Sequence, residues 1–144
     1  MIIPDINLIV YAYDETSPFH KRSREWWETL IGGDEIIGLP WAVVVGFLRL
    51  VTHPRVFATP VTIEVALTRV DSWIRRRNIV MIDPGSRHWE LLSEMLGQVR
   101  LGGKLVNDAH IAALALAYRA ELYTNDRDFE RFSGLLLRNP LAKN

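Results

Sequence analysis

The sequence contains no cysteine, so disulfide bonds and thiolate-ligated zinc sites are excluded. It also has no long apolar run, since the longest one, residues 38–48, is too short for a membrane span and includes Pro40. The first residues, Met-Ile-Ile-Pro-Asp, lack the basic flank and long apolar core of a signal peptide. These absences are compatible with a reducing cytosol, and we therefore expect a cytoplasmic protein that does not contact the membrane.

The sequence also lacks an excess of charge of either sign, because 17 Lys and Arg residues balance 17 Asp and Glu residues. No global field attracts nucleic acid to such a protein, so any contact with nucleic acid depends on local groups of basic residues. Hydrophobic residues make up 49% of the chain and charged residues 24%, which is typical of a globular domain. With 144 residues, no repeat and no long linker, we expect a single domain over residues 1–144.

Short β-like segments alternate with helical ones along the chain. Strands are predicted at 1–4, 35–39, 79–82, 121–124 and 135–138, and helices at 7–13, 18–31, 62–76, 88–99 and 107–119, with an apolar segment at 41–51 and a helical turn at 128–132. In the helix at 62–76 the spacing predicts an apolar stripe of Ile63, Ala66, Leu67, Val70 and Ile74. The alternation predicts an α/β fold, a three-layer α/β/α sandwich with a mostly parallel central sheet.

Three aspartates, Asp5, Asp108 and Asp126, lie where a predicted strand or helix begins or ends. Asp5 directly follows the first strand, and Asp126 follows the strand at 121–124 with one residue between them. Asp108 opens a helix that descends roughly 20 Å, and the next strand climbs back by roughly 13–17 Å. Asp126 therefore returns to the edge of the sheet at which Asp108 lies, and Asp5 joins them if its strand runs parallel.

Each of these aspartates alone is equally well a helix cap or a turn residue, since a cap stabilises a helix by ~1 kcal/mol. Caps do not require convergence, whereas converging carboxylates repel and raise one another's pKa until a cation neutralises them. A hard cation such as Mg²⁺ binds oxygen ligands of this kind. The sequence therefore predicts metal-dependent phosphodiester chemistry with Asp5, Asp108 and Asp126 as catalytic and metal-binding residues.

Three further residues near these acids have two interpretations each. Asp128 is a fourth catalytic candidate that could orient the attacking water, or a solvated residue of a first helical turn. Thr124 could hold a metal-bound water, although an ordinary strand residue is the simpler interpretation. His110 lies two residues from Asp108, and residues two apart on a helix do not face each other, so we expect it to pack or hydrogen-bond behind the site.

Candidate cations for contact with nucleic-acid phosphates are Arg49, Lys104 and Arg127. Lys104 and Arg127 lie near the proposed acids in sequence, and Lys104 follows a flexible pair of glycines. The run at residues 75–77 consists of three arginines and is more typical of a solvated helix end, where basic residues favour the helix dipole.

Four segments together resemble the PIN-domain nucleases, specifically the VapC-type toxins of bacterial toxin–antitoxin pairs. They are Asp5-Ile6-Asn7-Leu8, Phe47-Leu48-Arg49, Asn107-Asp108-Ala109-His110-Ile111-Ala112-Ala113-Leu114-Ala115 and Thr124-Asn125-Asp126-Arg127-Asp128-Phe129, and their order and spacing cover nearly the whole chain. The resemblance implies a Mg²⁺- or Mn²⁺-dependent endoribonuclease that cuts RNA and is silenced by a cognate antitoxin. It also implies a homodimer that assembles further with the antitoxin.

One residue departs from the family pattern. Members of the family carry a glutamate just before the Phe/Leu-x-Arg element, and this chain has Gly46 there. Because the site then has less negative charge, we infer one well-held ion, with a second one bound loosely or recruited by the substrate phosphate. Asp14 and Asp83 are possible substitutes for the missing acid, although both are expected to lie in turns.

Two other functions stay open. A phosphatase of the haloacid-dehalogenase type also begins with a strand-end aspartate, but it requires Asp-x-Asp where this chain has Asp5-Ile6-Asn7. A non-catalytic module of the PIN fold that binds RNA or protein is consistent with Gly46 and with the zero net charge. Trp26 and Trp27 are adjacent in a predicted helix and cannot both face one core, so one of them is expected to line an interface with the antitoxin or a second subunit.

Overall fold

A computed structural model describes residues 1–143 of the chain. Its elements are β1 (Ile2–Pro4), α1 (Ile6–Tyr13), α2 (His20–Ile31), β2 (Ile37–Pro40), α3 (Trp41–Val51), α4 (Ile63–Ile74), β3 (Ile79–Ile82), α5 (His88–Val99), α6 (Leu105–Ala117), β4 (Glu121–Tyr123), a 3₁₀ helix (Arg127–Arg131) and β5 (Leu136–Arg138). No helix within the described residues is both long enough and apolar enough to cross a membrane.

The five strands form one sheet in the order β3-β2-β1-β4-β5, and every neighbouring pair is parallel. The predicted mostly parallel sheet is confirmed, and it is parallel throughout. From β1, the strands β2 and β3 are added in turn on one side of it. The chain then crosses over β1, and β4 and β5 are added on its other side. The order therefore reverses between β1 and β4, and ligands of parallel α/β sheets bind outside the carboxyl ends of the strands at such a point.

The sheet is covered by helices on both faces. On one side α1 packs against α2 and α3, and α3 packs against α4, while α5 and α6 pack against each other. Because parallel crossovers are right-handed, the reversal of direction after β3 places the second group on the opposite face. β1 and β2 are buried over their whole length, as expected for central strands of a covered parallel sheet. This arrangement confirms the predicted three-layer α/β/α sandwich.

The apolar stripe predicted for α4 is wrong in part. Ala66 and Val70 are buried, but Ile63, Leu67 and Ile74 are 47%, 50% and 38% exposed, and Trp73 takes their place in the core. At 3.6 residues per turn the exposed line lies roughly 70° around the helix from the buried one. The apolar arc of α4 is thus wider than the surface that the core can cover, and spacing alone does not show which part of it turns inward.

Candidate metal centre

The first predicted acid, Asp5, lies directly after the central strand β1 and is only 4% exposed. Its backbone N–H donates to the carbonyl oxygen of Tyr123 at 2.8 Å, which ties the end of β1 to the end of β4. Asp5 therefore lies at the reversal point of the sheet, on the side of β1 that faces β4. Burial at this place follows from the apolar residues that precede it, since they require β1 to be central.

Thr124 connects Asp5 to Asp126. Its hydroxyl group donates a hydrogen bond to Oδ2 of Asp5 at 2.8 Å and accepts one from the backbone N–H of Asp126 at 2.9 Å. Because a hydroxyl group has one hydrogen, Thr124 holds the Asp5 carboxylate rather than donating to a metal-bound water. The simpler interpretation as an ordinary strand residue misses this bridge, for which the sequence gives no signal.

Asp108, Asp126 and Asp128 each place one carboxylate oxygen so that the three oxygens lie within 4.8 Å of one another. Asp108 comes from the first turn of α6, because that helix begins at Leu105 and not at the predicted residue 107. Asp126 caps the 3₁₀ helix by accepting a hydrogen bond from the backbone N–H of Asp128 at 2.9 Å. This triplet contains Asp128, the acid with two interpretations above, and the Asp-x-Asp spacing is the signal for it.

We call Asp5 and Asp108 the inner acids of the cluster. Their surroundings destabilise the charged form of each carboxylate. Burial raises the pKa of Asp5 from 3.8 to about 6, with a further contribution from the charge of Asp126 and an opposing one from the Thr124 hydrogen bond. Burial also raises the pKa of Asp108 to about 6, and the charges of Asp5, Asp126 and Asp128 act in the same direction. Thr124 links Asp5 to Asp126, and Asp5 lines the same groove as Asp108, so Asp5 lies beside the triplet of the other three predicted acids.

Asp128 differs from the inner acids because basic side chains neutralise it. Its carboxylate lies 3.1 Å from Nζ of Lys104 and 3.5 Å from Nε of Arg131. The hydrogen bond from Lys104 holds the pKa of Asp128 below its usual value, and Asp128 in turn raises the pKa of Lys104. Lys104, which the sequence suggested as a phosphate contact, therefore already has an anionic partner within the protein.

A groove of about 460 Å³ leads to these acids between α3 and the first turns of α6. Its lining includes Asp5, Asp108, Gly46, Arg49 and Lys104. At Gly46 a Cβ atom would collide with Cδ1 of Ile6, so the isoleucine fills the space into which a larger side chain at 46 would point. The position at which the family pattern has glutamate is thus part of the groove, and here it is apolar.

Other residues suggested by the sequence lie outside this groove. The Arg127 side chain is 89% exposed, and its ionic partner is Glu130 at 3.7 Å. Asp14 accepts hydrogen bonds from Thr16 in the turn after α1, and Asp83 is exposed after β3. None of the three is among the residues that line the groove.

The two adjacent tryptophans of α2 have different environments. Trp27 is buried at 1% exposure, whereas Trp26 is half-buried and stacks on the ring of Tyr123 with the ring centroids 5.9 Å apart. Trp26 and Tyr123 line a surface groove of about 630 Å³, away from the acids. Trp26 is therefore the residue of the pair to which the expected interface role applies.

The acidic cluster has the composition of a site for a hard cation. It contains only oxygen ligands, the oxygens of three side chains are close enough to share one ion, and the two inner carboxylates have no basic partner among the described residues. A divalent ion would offset the burial and, to a smaller extent, the repulsion that raise the pKa of Asp5 and Asp108. The residues therefore fit Mg²⁺ or Mn²⁺ as the ion to be held.

Comparison with known proteins agrees with this architecture. The PIN domain family model matches residues 2–135. Ribonuclease VapC37 of Mycobacterium tuberculosis is 39% identical over 142 residues, covering 99% of each chain, and ribonuclease VapC33 of the same species is 36% identical over 143 residues, covering 99% of this chain and all of its own. Among solved structures, VapBC2 from Rickettsia felis bound to a DNA fragment is 25% identical with a TM-score of 0.69, covering 96% of this chain and 98% of its own.

These matches extend over nearly the whole chain, which favours the resemblance found in the sequence over the haloacid-dehalogenase alternative. The chain belongs to the PIN-domain family and, within it, to the VapC ribonucleases.

Proposed function

We propose that this protein is an endoribonuclease that cuts RNA phosphodiester bonds at a divalent metal ion, and that it acts as the toxin of a toxin–antitoxin pair. The observation that carries the proposal is the triplet of Asp108, Asp126 and Asp128, with Asp5 held beside it through Thr124 at the reversal point of the sheet. Full-length similarity to proteins named as ribonucleases supports the reaction class. Mg²⁺ is the ion we propose, with Mn²⁺ as a substitute.

We assign Asp5, Asp108 and Asp126 as metal-binding residues, directly or through water, since Mg²⁺ keeps several waters and uses few carboxylates. When bound, the ion acidifies a water molecule and neutralises charge on the non-bridging phosphate oxygens. Asp128 is close enough to this point to accept a proton from the attacking water and orient it. Thr124 keeps the Asp5 carboxylate in place through its hydrogen bond.

RNA binding falls to the groove between α3 and α6. Arg49 on α3 and Lys104 before α6 line it from its two sides, and the side chain of Lys104 is 81% exposed. A phosphate that approaches Lys104 competes with Asp128 for the ammonium group, so RNA binding would release Asp128 from its ion pair. Arg127 stays a prediction as an additional contact with RNA, since its exposed side chain lies outside the groove.

We also propose a homodimer and a cognate antitoxin as partners. The exposed line of α4, formed by Ile63, Leu67 and Ile74, is an apolar surface that an isolated monomer would leave in water. This line suits a second copy of the chain, while the groove beside Trp26 suits an apolar segment of the antitoxin. Leu67→Lys is expected to give a monomer in sedimentation equilibrium at concentrations at which the unmodified protein is a dimer.

The catalytic proposal is tested with purified protein and total RNA. We expect new RNA ends in the presence of Mg²⁺ or Mn²⁺, none after chelation, and recovery when the ion is returned. Mapping the ends identifies the RNA and the cleavage sequence. Intact RNA under all these conditions, with folded protein, would contradict the proposal.

The second candidate is a non-catalytic module of the same fold, and two observations favour it. Gly46 removes one acid from the groove, and Lys104 neutralises another at 3.1 Å. Calorimetric titration with Mg²⁺ separates the two functions, because a non-catalytic module has no need to bind the ion.

A further inference from the structure

Two histidines lie in contact at the outer side of the groove. Nε2 of His88, the first residue of α5, is 2.8 Å from Nδ1 of His110 on α6, and the rings meet edge to face. His110 also lines the groove together with Asn107 and Asp108. The expectation that His110 hydrogen-bonds is thus met, but its ring forms part of the groove wall instead of lying behind the site.

The hydrogen bond between the rings can form in two ways. Either Nε2–H of His88 donates to Nδ1 of His110, or Nδ1–H of His110 donates to Nε2 of His88. The second form requires the proton of neutral His88 to sit on Nδ1, which is buried and has no hydrogen-bond partner. An unpaired buried N–H group is costly, so the first form is favoured.

The first form determines what His110 presents to the groove. Its Nδ1 accepts the bond from His88, so the single proton of the neutral ring lies on Nε2. Nε2 has no hydrogen-bond partner among residues 1–143 and is not one of their buried unpaired atoms, which leaves it accessible from the groove.

We propose that His88 fixes the tautomer of His110, so that Nε2–H of His110 donates a hydrogen bond to a phosphate or ribose oxygen of RNA in the groove. The inference rests on the proposed function, because it assumes that RNA occupies this groove. His110 and Asp108 are roughly 160° apart on α6, with Asn107 and Ile111 between them on the groove side. His110 therefore contacts the strand beside the cleaved phosphate, and it is a binding residue, with His88 as its positioning residue.

The kinetic test compares His110→Ala with His110→Gln, whose side-chain amide keeps an N–H donor. We expect His110→Ala to raise KM about fivefold, the effect of one neutral hydrogen bond, with kcat nearly unchanged. His110→Gln should recover most of the loss, and His53→Ala, in a turn outside the groove, should have no effect. An unchanged KM in folded His110→Ala, or a loss in kcat alone, would overturn the proposal.

A double-mutant cycle tests the role of His88. His88→Ala should raise KM in the unmodified protein but add nothing in the His110→Ala background, because it acts through His110. Equal effects in both backgrounds would mean that His88 only supports the packing of α5 on α6.

A readout that does not depend on cleavage is the tautomer itself. In ¹⁵N-labelled protein, correlations between ring protons and ring nitrogens should show the proton of His110 on Nε2, and His88→Ala should abolish this preference. A proton on Nδ1 of His110 would overturn the inference whether or not the protein cuts RNA. Failure of the unmodified protein to cut RNA would instead contradict the proposed function while leaving the tautomer measurable.

Discussion

The inner and outer halves of the acidic cluster are neutralised in different ways. Asp5 and Asp108 are the inner acids; burial raises the pKa of each to about 6, and neither has a basic partner among the described residues. Asp128 is the outer acid, and Lys104 and Arg131 lower its pKa through ion pairs at 3.1 and 3.5 Å. Aspartates of one cluster thus have pKa values that are shifted in opposite directions.

The difference indicates which acids need a ligand from solution. The protein supplies its own cations to the outer acid, where the side chain is accessible and the ion pair can exchange. Among the described residues it gives the inner acids no ion pair, and the charge of Lys104 opposes the rise in the pKa of Asp108 without reversing it, so their burial and repulsion are left for an external cation to offset. We therefore expect the inner half to act in ion binding, and the outer half to exchange its ion pair with Lys104 for contact with the reacting groups.

Removing an inner charge should have the largest effect on activity. Asp108→Asn is expected to reduce RNA cleavage by at least about a hundredfold, because an ion contributes several kcal/mol to the transition state. Asp71→Asn, which removes an exposed carboxylate paired with Arg75 on α4, is the matched control and should cleave normally. Retained cleavage in Asp108→Asn, measured on a labelled RNA, would remove this residue from the site.

The inner charges should also make the ion-free protein less stable as the pH rises. Because the pKa of Asp5 is higher in the folded state, at about 6, than its ordinary value of 3.8, this stability is fully present below pH about 4 and is lost as the pH rises to and beyond about 6. The loss for Asp5 is up to roughly 3 kcal/mol in the free energy of unfolding. Urea denaturation at pH 5 and pH 7.5 with chelator should show it, and Mg²⁺ should reverse it.

The variant Asp5→Asn separates this effect from other titrations. Its amide oxygen still accepts the Thr124 hydrogen bond, but no charge is buried. In the absence of Mg²⁺ at pH 7.5 we expect it to be more stable than the unmodified protein, although it is inactive. A variant that is less stable under these conditions would show that Asp5 is not under electrostatic strain.

The Thr124 bridge from Asp5 to Asp126 should have an intermediate effect. Thr124→Val removes the donor to Asp5 and the acceptor for the backbone N–H of Asp126. We expect a loss of about tenfold in ion affinity, measured by calorimetry, as is typical for groups that orient metal-binding residues. Thr16→Val, whose hydroxyl group bonds Asp14 in an exposed turn, is the control. Unchanged affinity in Thr124→Val would mean that the bridge has no role in the site.

The outer ion pair should have the smallest effect. Lys104→Met frees Asp128, and because the pair is exposed we expect ion affinity to rise by about fivefold or less. KM for RNA should rise at the same time, since a phosphate contact is lost. Arg127→Met, at the exposed start of the 3₁₀ helix beside the site, provides the comparison. A fall in ion affinity on removing Lys104 would contradict the division into inner and outer acids.

Much of the fold and part of the site follow from the sequence. Alternating strands and helices predicted the parallel sheet, and the positions of Asp5 and Asp126 after two strands predicted the edge at which they lie. These features depend on local periodicity and on chain direction, which one sequence contains. The helix α5 has the predicted bounds, His88–Val99, for the same reason.

Features that depend on side-chain contacts between distant residues did not follow from the sequence. The hydroxyl bridge from Thr124 to Asp5 joins residues 119 positions apart, and the ring contact of His88 with His110 joins two helices. Which apolar line of α4 faces inward depends on the space left by α3, where Trp73 packs against Phe47 with ring centroids 4.7 Å apart. The spacing of apolar residues shows which of them could face the core, and packing against the neighbouring helices determines which of them do.

The most direct measurement is calorimetric titration of the purified protein with Mg²⁺ at pH 7.5, beside Asp108→Asn under the same conditions. If the inner acids, Asp5 and Asp108, bind the ion because the protein gives them no ion pair, we expect one well-held Mg²⁺ per chain. We expect no bound Mg²⁺ in the variant. If the unmodified protein takes up no ion, or if the variant takes it up equally well, the acids do not form a metal centre.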